Sequence, residues 1–301
     1  MPAEMRELLT GAVKLAKDSS LDETNAAFAV AVMANTAITL KEQGQLSEAE
    51  SKQEATFLIT AANDARRHVL LRGSAITALG VLKVAEARES LREMLTNAVT
   101  RDTAELARPA CLSLMRIDGS RAIPDLAHVL RETRESRVFG TAAFALGQLK
   151  SRESMAALVE QLGRFPDSGA CGAALVEMED TIIGVLQNPK EEHLTAAIYA
   201  TRQLWREGQR ETCVPLLRKL VSTAPLPARK AAAERLIESA SALEFEHEKR
   251  ELSLLTEAMA GQPELQELNE RVQQRLEAQL AEPVVGAEVK TPTVFKKGAG
   301  K

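Results

Sequence analysis

Four histidines and three cysteines hold most of the reactive potential of this chain, and their spacing decides what they can do. His68, His128, His193 and His247 stand far apart, and none belongs to an HxxxH or HExxH pair. A helical metal site needs ligands about three or four residues apart on one face, so no metal ligands are assigned. One His-Glu dyad, His247-Glu248, lies in the charged run from Glu244 to Arg250, and such a run reads as a solvated helix face. Cys111, Cys171 and Cys213 are odd in number and form no CxxC pair, which argues for a reducing compartment and against a disulfide framework. All three fall in helical patterns and read as packing residues rather than nucleophiles. The Ala-Leu-Gly strings beginning at Ala78 and Ala145 sit inside helical patterns with no preceding strand, so neither is a phosphate loop. No catalytic or cofactor-binding residue is assigned, and the reading favours a protein that is not an enzyme.

The elements that carry these residues repeat. Between Arg137 and Leu162, Ala142 and Leu146 share one helix face, a polar break follows, and Leu158 and Leu162 form the stripe of a second helix. A small residue followed four positions later by Leu recurs at Ala75/Leu79, Ala110/Leu114, Ala142/Leu146, Cys171/Leu175, Ala200/Leu204 and Ala232/Leu236, so the leucines stand 35, 32, 29, 29 and 32 residues apart. Leu91, Leu126 and Leu158 follow their anchors by 12 residues and Leu217 by 13. Each unit is a helix–turn–helix too small to bury its own apolar stripe, so neighbours must stack to close a core.

The strings SAITALGVL and TAAFALGQL, with AIPDL (Ala122 to Leu126) and CVPLL (Cys213 to Leu217) opening second helices, resemble the short HEAT repeats of the phycobilisome-lyase type. The proline of those second strings is expected in a first helical turn. The resemblance runs from about Arg66 to Glu238. The arginine it implies seven residues before the anchor leucine is present as Arg72 and Arg229, but Ala107, Phe139, Ser168 and Ala197 stand at the other positions. It implies an all-α, right-handed solenoid of about six stacked helix-turn-helix (HEAT-like) repeats. In the fourth repeat the second helix is short, TIIGVLQN, and Asn188-Pro189 reads as the cap and first turn of the next helix. The HEAT-repeat deoxyhypusine hydroxylases carry several His-Glu dyads around a di-iron centre; the single dyad here does not fit them.

Residues 1–65 read as a helical cap or irregular end repeat, with capping boxes expected at Ser20/Glu23 and Ser47/Glu50 and helices starting near Leu21 and Glu48. The repeats then occupy 66–242. Residues 243–281 read as two capping helices broken at Gly261 to Glu264, the last with Leu265, Leu268, Val272, Leu276 and Leu280 on one face. Residues 282–301 mix proline, glycine and lysine without periodicity and read as a flexible tail, dispensable for folding.

Charge narrows the partner. At 45% hydrophobic and 27% charged residues with net charge -4, the chain is globular and exerts no global pull on nucleic acid or anionic membrane. The longest apolar run, Ala26 to Ala34, is about half of a membrane span. In HEAT-like arrays the second helices line the inner surface, and there the polar residues one or two positions after the second-helix leucines are Arg92, Glu93, His128, Glu160, Arg218 and Lys219, with no single sign. That mixture lacks the basic stripe that tracks phosphates, so HEAT-like alkylpurine DNA glycosylases are a poor match. These six residues are the candidate partner-binding surface. The expectation is a cytoplasmic, non-catalytic protein-interaction scaffold that binds a protein or peptide, with no cofactor, no nucleic acid and no membrane. The alternative is a lyase-like or chaperone-like factor acting on a cofactor-bearing protein.

Overall fold

A computed structural model describes residues 2–18, 20–97, 104–164, 169–206, 208–241 and 243–281, and every regular element among them is helical. The fold is an all-α solenoid of helix–turn–helix units stacked neighbour on neighbour. The chain divides into two compact units, Met1–Arg235 and Leu236–Lys301. The division falls inside helix α14 (Leu226–Ala240) and separates Ala232 from Leu236, the sixth anchor pair.

In the first unit the repeats are built from α4 (Val69–Val81) with α5 (Arg88–Asn97), α6 (Ala104–Asp118) with α7 (Ile123–Glu132), and α8 (Ser136–Leu149) with α9 (Arg152–Glu160). Next come α10 (Ala170–Val176) with α11 (Glu179–Leu186), and α12 (Leu194–Arg206) with α13 (Arg210–Thr223). The first helices contact one another in series from α4 to α12, and the second helices do the same from α5 to α13, giving two layers. The anchor leucines Leu79, Leu114, Leu146, Leu175 and Leu204 are all 1% exposed or less, and so are Leu91, Leu126, Leu158 and Leu217 of the second layer. Each such leucine contributes about 1.5–3 kcal/mol, and the contribution exists only while the adjacent repeat is in place.

Two glycines set how closely the first helices approach. A Cβ on Gly80 would lie 2.5 Å from the Cα of Ser113, and one on Gly147 would lie 3.0 Å from the Cβ of Ala174. The Ala-Leu-Gly strings are therefore contact points between α4 and α6 and between α8 and α10. Ser113 also donates its hydroxyl to the Ile76 carbonyl at 2.8 Å, fixing the register of α6 on α4.

Arginines tie off helix ends and join repeats. Arg72 donates to the Ala62 carbonyl at 3.0 Å, and Arg164 to the Leu130 and Thr133 carbonyls at 2.8 Å each, supplying donors that the last turns of helices lack. The Asp118 side chain is fully buried and takes Arg88 at 2.5 Å and Arg92 at 3.3 Å, so a carboxylate at the end of α6 holds both arginines of α5.

The N-terminal cap consists of α1 (Pro2–Lys17), α2 (Glu23–Glu42) and α3 (Glu48–Asn63). Ser47 and Glu50 form the expected capping box. Ser20 does not cap α2: its hydroxyl donates to Asp18, and Asp22 caps instead by accepting from the Thr24 and Asn25 amides. An aspartate immediately before the helix offers the same acceptor nearer the free amides, with a negative charge at the positive helix end. Asn188-Pro189 does not start α12 either. The Asn188 side chain accepts from the Lys190 amide, a local turn that competes with helix, and α12 begins at Leu194. Pro124 sits in the first turn of α7 as expected, whereas Pro215 is inside α13, which already starts at Arg210. Glu211 and Pro215 are both exposed, so the carbonyl that loses its helical donor is on the wet side.

In the second unit α15 (Phe245–Met259) packs on α16 (Gln266–Ala281) through Leu252, Leu255, Met259, Leu265, Leu268 and Val272, all buried. Leu276 is half-buried. Gly261 takes a φ of 74° at the break between them. The Leu280 side chain and the tail at 282–301 lie outside the described residues.

Candidate interaction surfaces

The second-helix residues do not form one free surface. Arg92 on α5 is held by Asp125 at 2.9 Å, Glu89 at 3.0 Å and Asp118 at 3.3 Å, and Asp125 foremost, then Glu89, raises its pKa above the ordinary guanidinium value. Its fork is used within the chain. Glu93 on α5, His128 on α7 and Lys219 on α13 are exposed, while Arg218 is half-buried. Glu160 on α9 is exposed and meets Arg131 of α7 at 3.9 Å, so it pairs with a neighbour of His128 rather than with His128. The layer places α7 beside α9.

The three thiols are spent on packing. Cys111, Cys171 and Cys213 are free and buried. Burial pushes the Cys111 and Cys171 thiols up to about 12 and, with Glu179 nearby, the Cys213 thiol up to about 11. A thiol in that range is scarcely ionised at neutral pH and is a poor nucleophile. His247 is exposed, and Glu248 beside it turns inward to pair with Arg275. Among the described residues no three His, Cys, Asp or Glu side chains gather where a metal could sit. Trp205 packs under the Arg235 guanidinium, which lies 5.9 Å from its ring and 5.5 Å from the ring of Tyr199.

A groove of about 460 Å³ opens on the first-helix layer, where α2, α4 and α6 meet. Its floor is low because small residues line it, Ala31 and Ala34 from α2 and Gly73 and Ala78 from α4, with Pro109 of α6 at the far wall. Leu70 stands at its edge, 52% exposed. Phe28 lies one turn before Ala31 on the same side of α2 and is 69% exposed. Asn35, Ser74 and Thr77 supply hydrogen-bonding groups, and Glu105 is the one charged side chain among the lining residues. The α2 sequence from Thr24 to Leu40 has no charge at all, and Arg72 of α4 is turned away to the Ala62 carbonyl. A concave surface with exposed Phe and Leu and a single charged lining residue is unusual on a chain that is 27% charged. Reading the second helices alone misses this groove. The available signal was the run Ala26 to Ala34 with Phe28 inside it, informative once its helix is seen to have an open side.

No family model matches this chain, and no curated protein matches it. A solved structure described as "Computational Design of Self-Assembling Cyclic Protein Homooligomers" is similar over 92% of this chain and 95% of its own, at 14% identity and a TM-score of 0.23. A likeness that low carries no argument about this chain. Among the described residues no helix is long and apolar enough to cross a membrane.

Proposed function

We propose that the protein is a non-catalytic interaction scaffold that takes an apolar segment of a partner protein into the groove between α2, α4 and α6. The groove itself carries the reading: its volume of about 460 Å³ accommodates several side chains, and Leu70 and Phe28 stand exposed beside it. An amphipathic helix inserting apolar residues at i, i+3 and i+4 suits such a floor, while Asn35, Ser74 and Thr77 can pair with its polar edge. Glu105 favours a basic residue near one end of that segment. Stacked helical repeats commonly serve this purpose, which is an argument from architecture and agrees with the groove. Three free, buried thiols fit a reducing, cytoplasmic setting.

Affinity capture from the native host with three forms of the full chain tests the reading: wild type, Leu70→Glu in the groove, and Lys219→Glu on the second-helix layer. Both positions are exposed, so circular dichroism should show all three folded. The expected result is a partner retained by wild type and by Lys219→Glu and lost with Leu70→Glu. A partner that Leu70→Glu retains, or that only Lys219→Glu loses, refutes the groove.

A further inference from the structure

Glu54 of α3 is 8% exposed, and its Oε2 is buried without a hydrogen-bond partner. It lies on α3 between two contacts that join α3 and its entry to α1, while α1 packs along α2. At one end Arg6 pairs with Glu50 at 3.2 Å and also donates to the Gln45 carbonyl. At the other the Lys17 ammonium lies 5.3 Å from the centre of the Phe57 ring. Leu9, Ala12 and Ala16 are the buried apolar residues of α1. A buried carboxyl with an unsatisfied oxygen is tolerated far better neutral than charged.

The surrounding charges do not relieve it. Glu50, one turn earlier on α3, stays ionised because the Ser47 hydroxyl and amide hold its carboxyl below the usual range, so it repels a charge on Glu54. Lys17 of α1 attracts such a charge but ranks below both burial and Glu50 among the influences on Glu54. From α2 no titratable group stands between Glu23 and Lys41, and Glu23 pairs with Arg67. From α4 the only cation, Arg72, is committed to the Ala62 carbonyl.

We propose that α1 is a proton-controlled latch, closed on α3 while Glu54 is protonated and loosened as Glu54 ionises. The proposal stands whatever the groove binds. Burial first, then Glu50, raises the Glu54 carboxyl from 4.5 to about 7 when α1 is closed, and opening returns it to water and its ordinary value. The closed state then holds more protons than the open one between those two values. Closure is fully favoured below about 4.5, weakens as pH rises, and is weakest above about 7. From those two values, closure weakens about thirtyfold between about pH 5.5 and about pH 8.5.

Hydrogen exchange of the full chain at these two pH values, corrected for the intrinsic rate and referenced to α8 amides, reads the latch directly. In wild type, protection of α1 amides should fall about thirtyfold relative to α8. In Glu54→Gln, which is neutral at both values, it should stay level. A carbon-13 titration of the wild-type Glu54 carboxyl should show a midpoint near 7. Level α1 protection in wild type, an equal fall in Glu54→Gln, or a midpoint near 4.5 would each overturn the latch.

Discussion

Replacing glycine by alanine at three helical positions should give three different outcomes, and the reason lies entirely in what each missing Cβ would meet. Inside a helix the substitution itself stabilises by about 1 kcal/mol, through propensity and a less flexible unfolded chain. Gly184 of α11 has nothing within 4 Å of its Cβ position, so Gly184→Ala should realise that gain in full. At Gly147 the new methyl would come within 3.0 Å of Ala174 Cβ and 3.1 Å of its carbonyl oxygen. Relaxing that contact costs about 1 kcal/mol, and the net change should be close to zero. At Gly80 the methyl would meet Ser113 Cα at 2.5 Å and its Oγ at 2.4 Å, and backbone cannot swing aside as a side-chain tip can. Moving α6 away from α4 strains the hydrogen bond from Ser113 to the Ile76 carbonyl and should cost about 3 kcal/mol. The net loss for Gly80→Ala is then about 2 kcal/mol, and the spread across the series about 3 kcal/mol. Urea unfolding followed by far-ultraviolet circular dichroism measures all three in one background. If Gly80→Ala is as stable as Gly184→Ala, the helices do not meet there and the stacking register described above is wrong.

Leu146→Ala, which empties a fully buried anchor, should cost about 2–5 kcal/mol, with exchange protection lost first in α6, α7, α9 and α10, the helices packed against α8; loss that is uniform from end to end would contradict neighbour-limited packing. The three thiols, raised to about 11–12, should stay unreactive toward a disulfide reagent in the native protein at mildly alkaline pH and all react after denaturation. Rapid labelling of any one in the native state would show that its burial is misplaced.

Apolar spacing was enough to read the repeat, because a leucine that must face a neighbouring repeat recurs once per unit. Leu79, Leu114, Leu146, Leu175 and Leu204 are all buried as that argument requires. The capping box at Ser47 was legible for a similar reason, since its partners are three residues apart. Local competition was less legible: Ser20 against Asp22, and helix against turn at Asn188, turn on small energy differences between neighbouring acceptors. Groove and latch were beyond the sequence. Phe28 and Leu70 are apolar residues like those of the core, and only the stacking of α2, α4 and α6 leaves them outside. Arg92 and Glu54 are charged residues that pattern alone assigns to solvent. Asp118, Asp125 and Glu89 occupy the first, and the folded N-terminal cap buries the second. Periodicity along the chain decides which face of a helix is covered, but the choice of what covers it is made between residues distant in sequence, where burial and charge depend on a partner that spacing does not name.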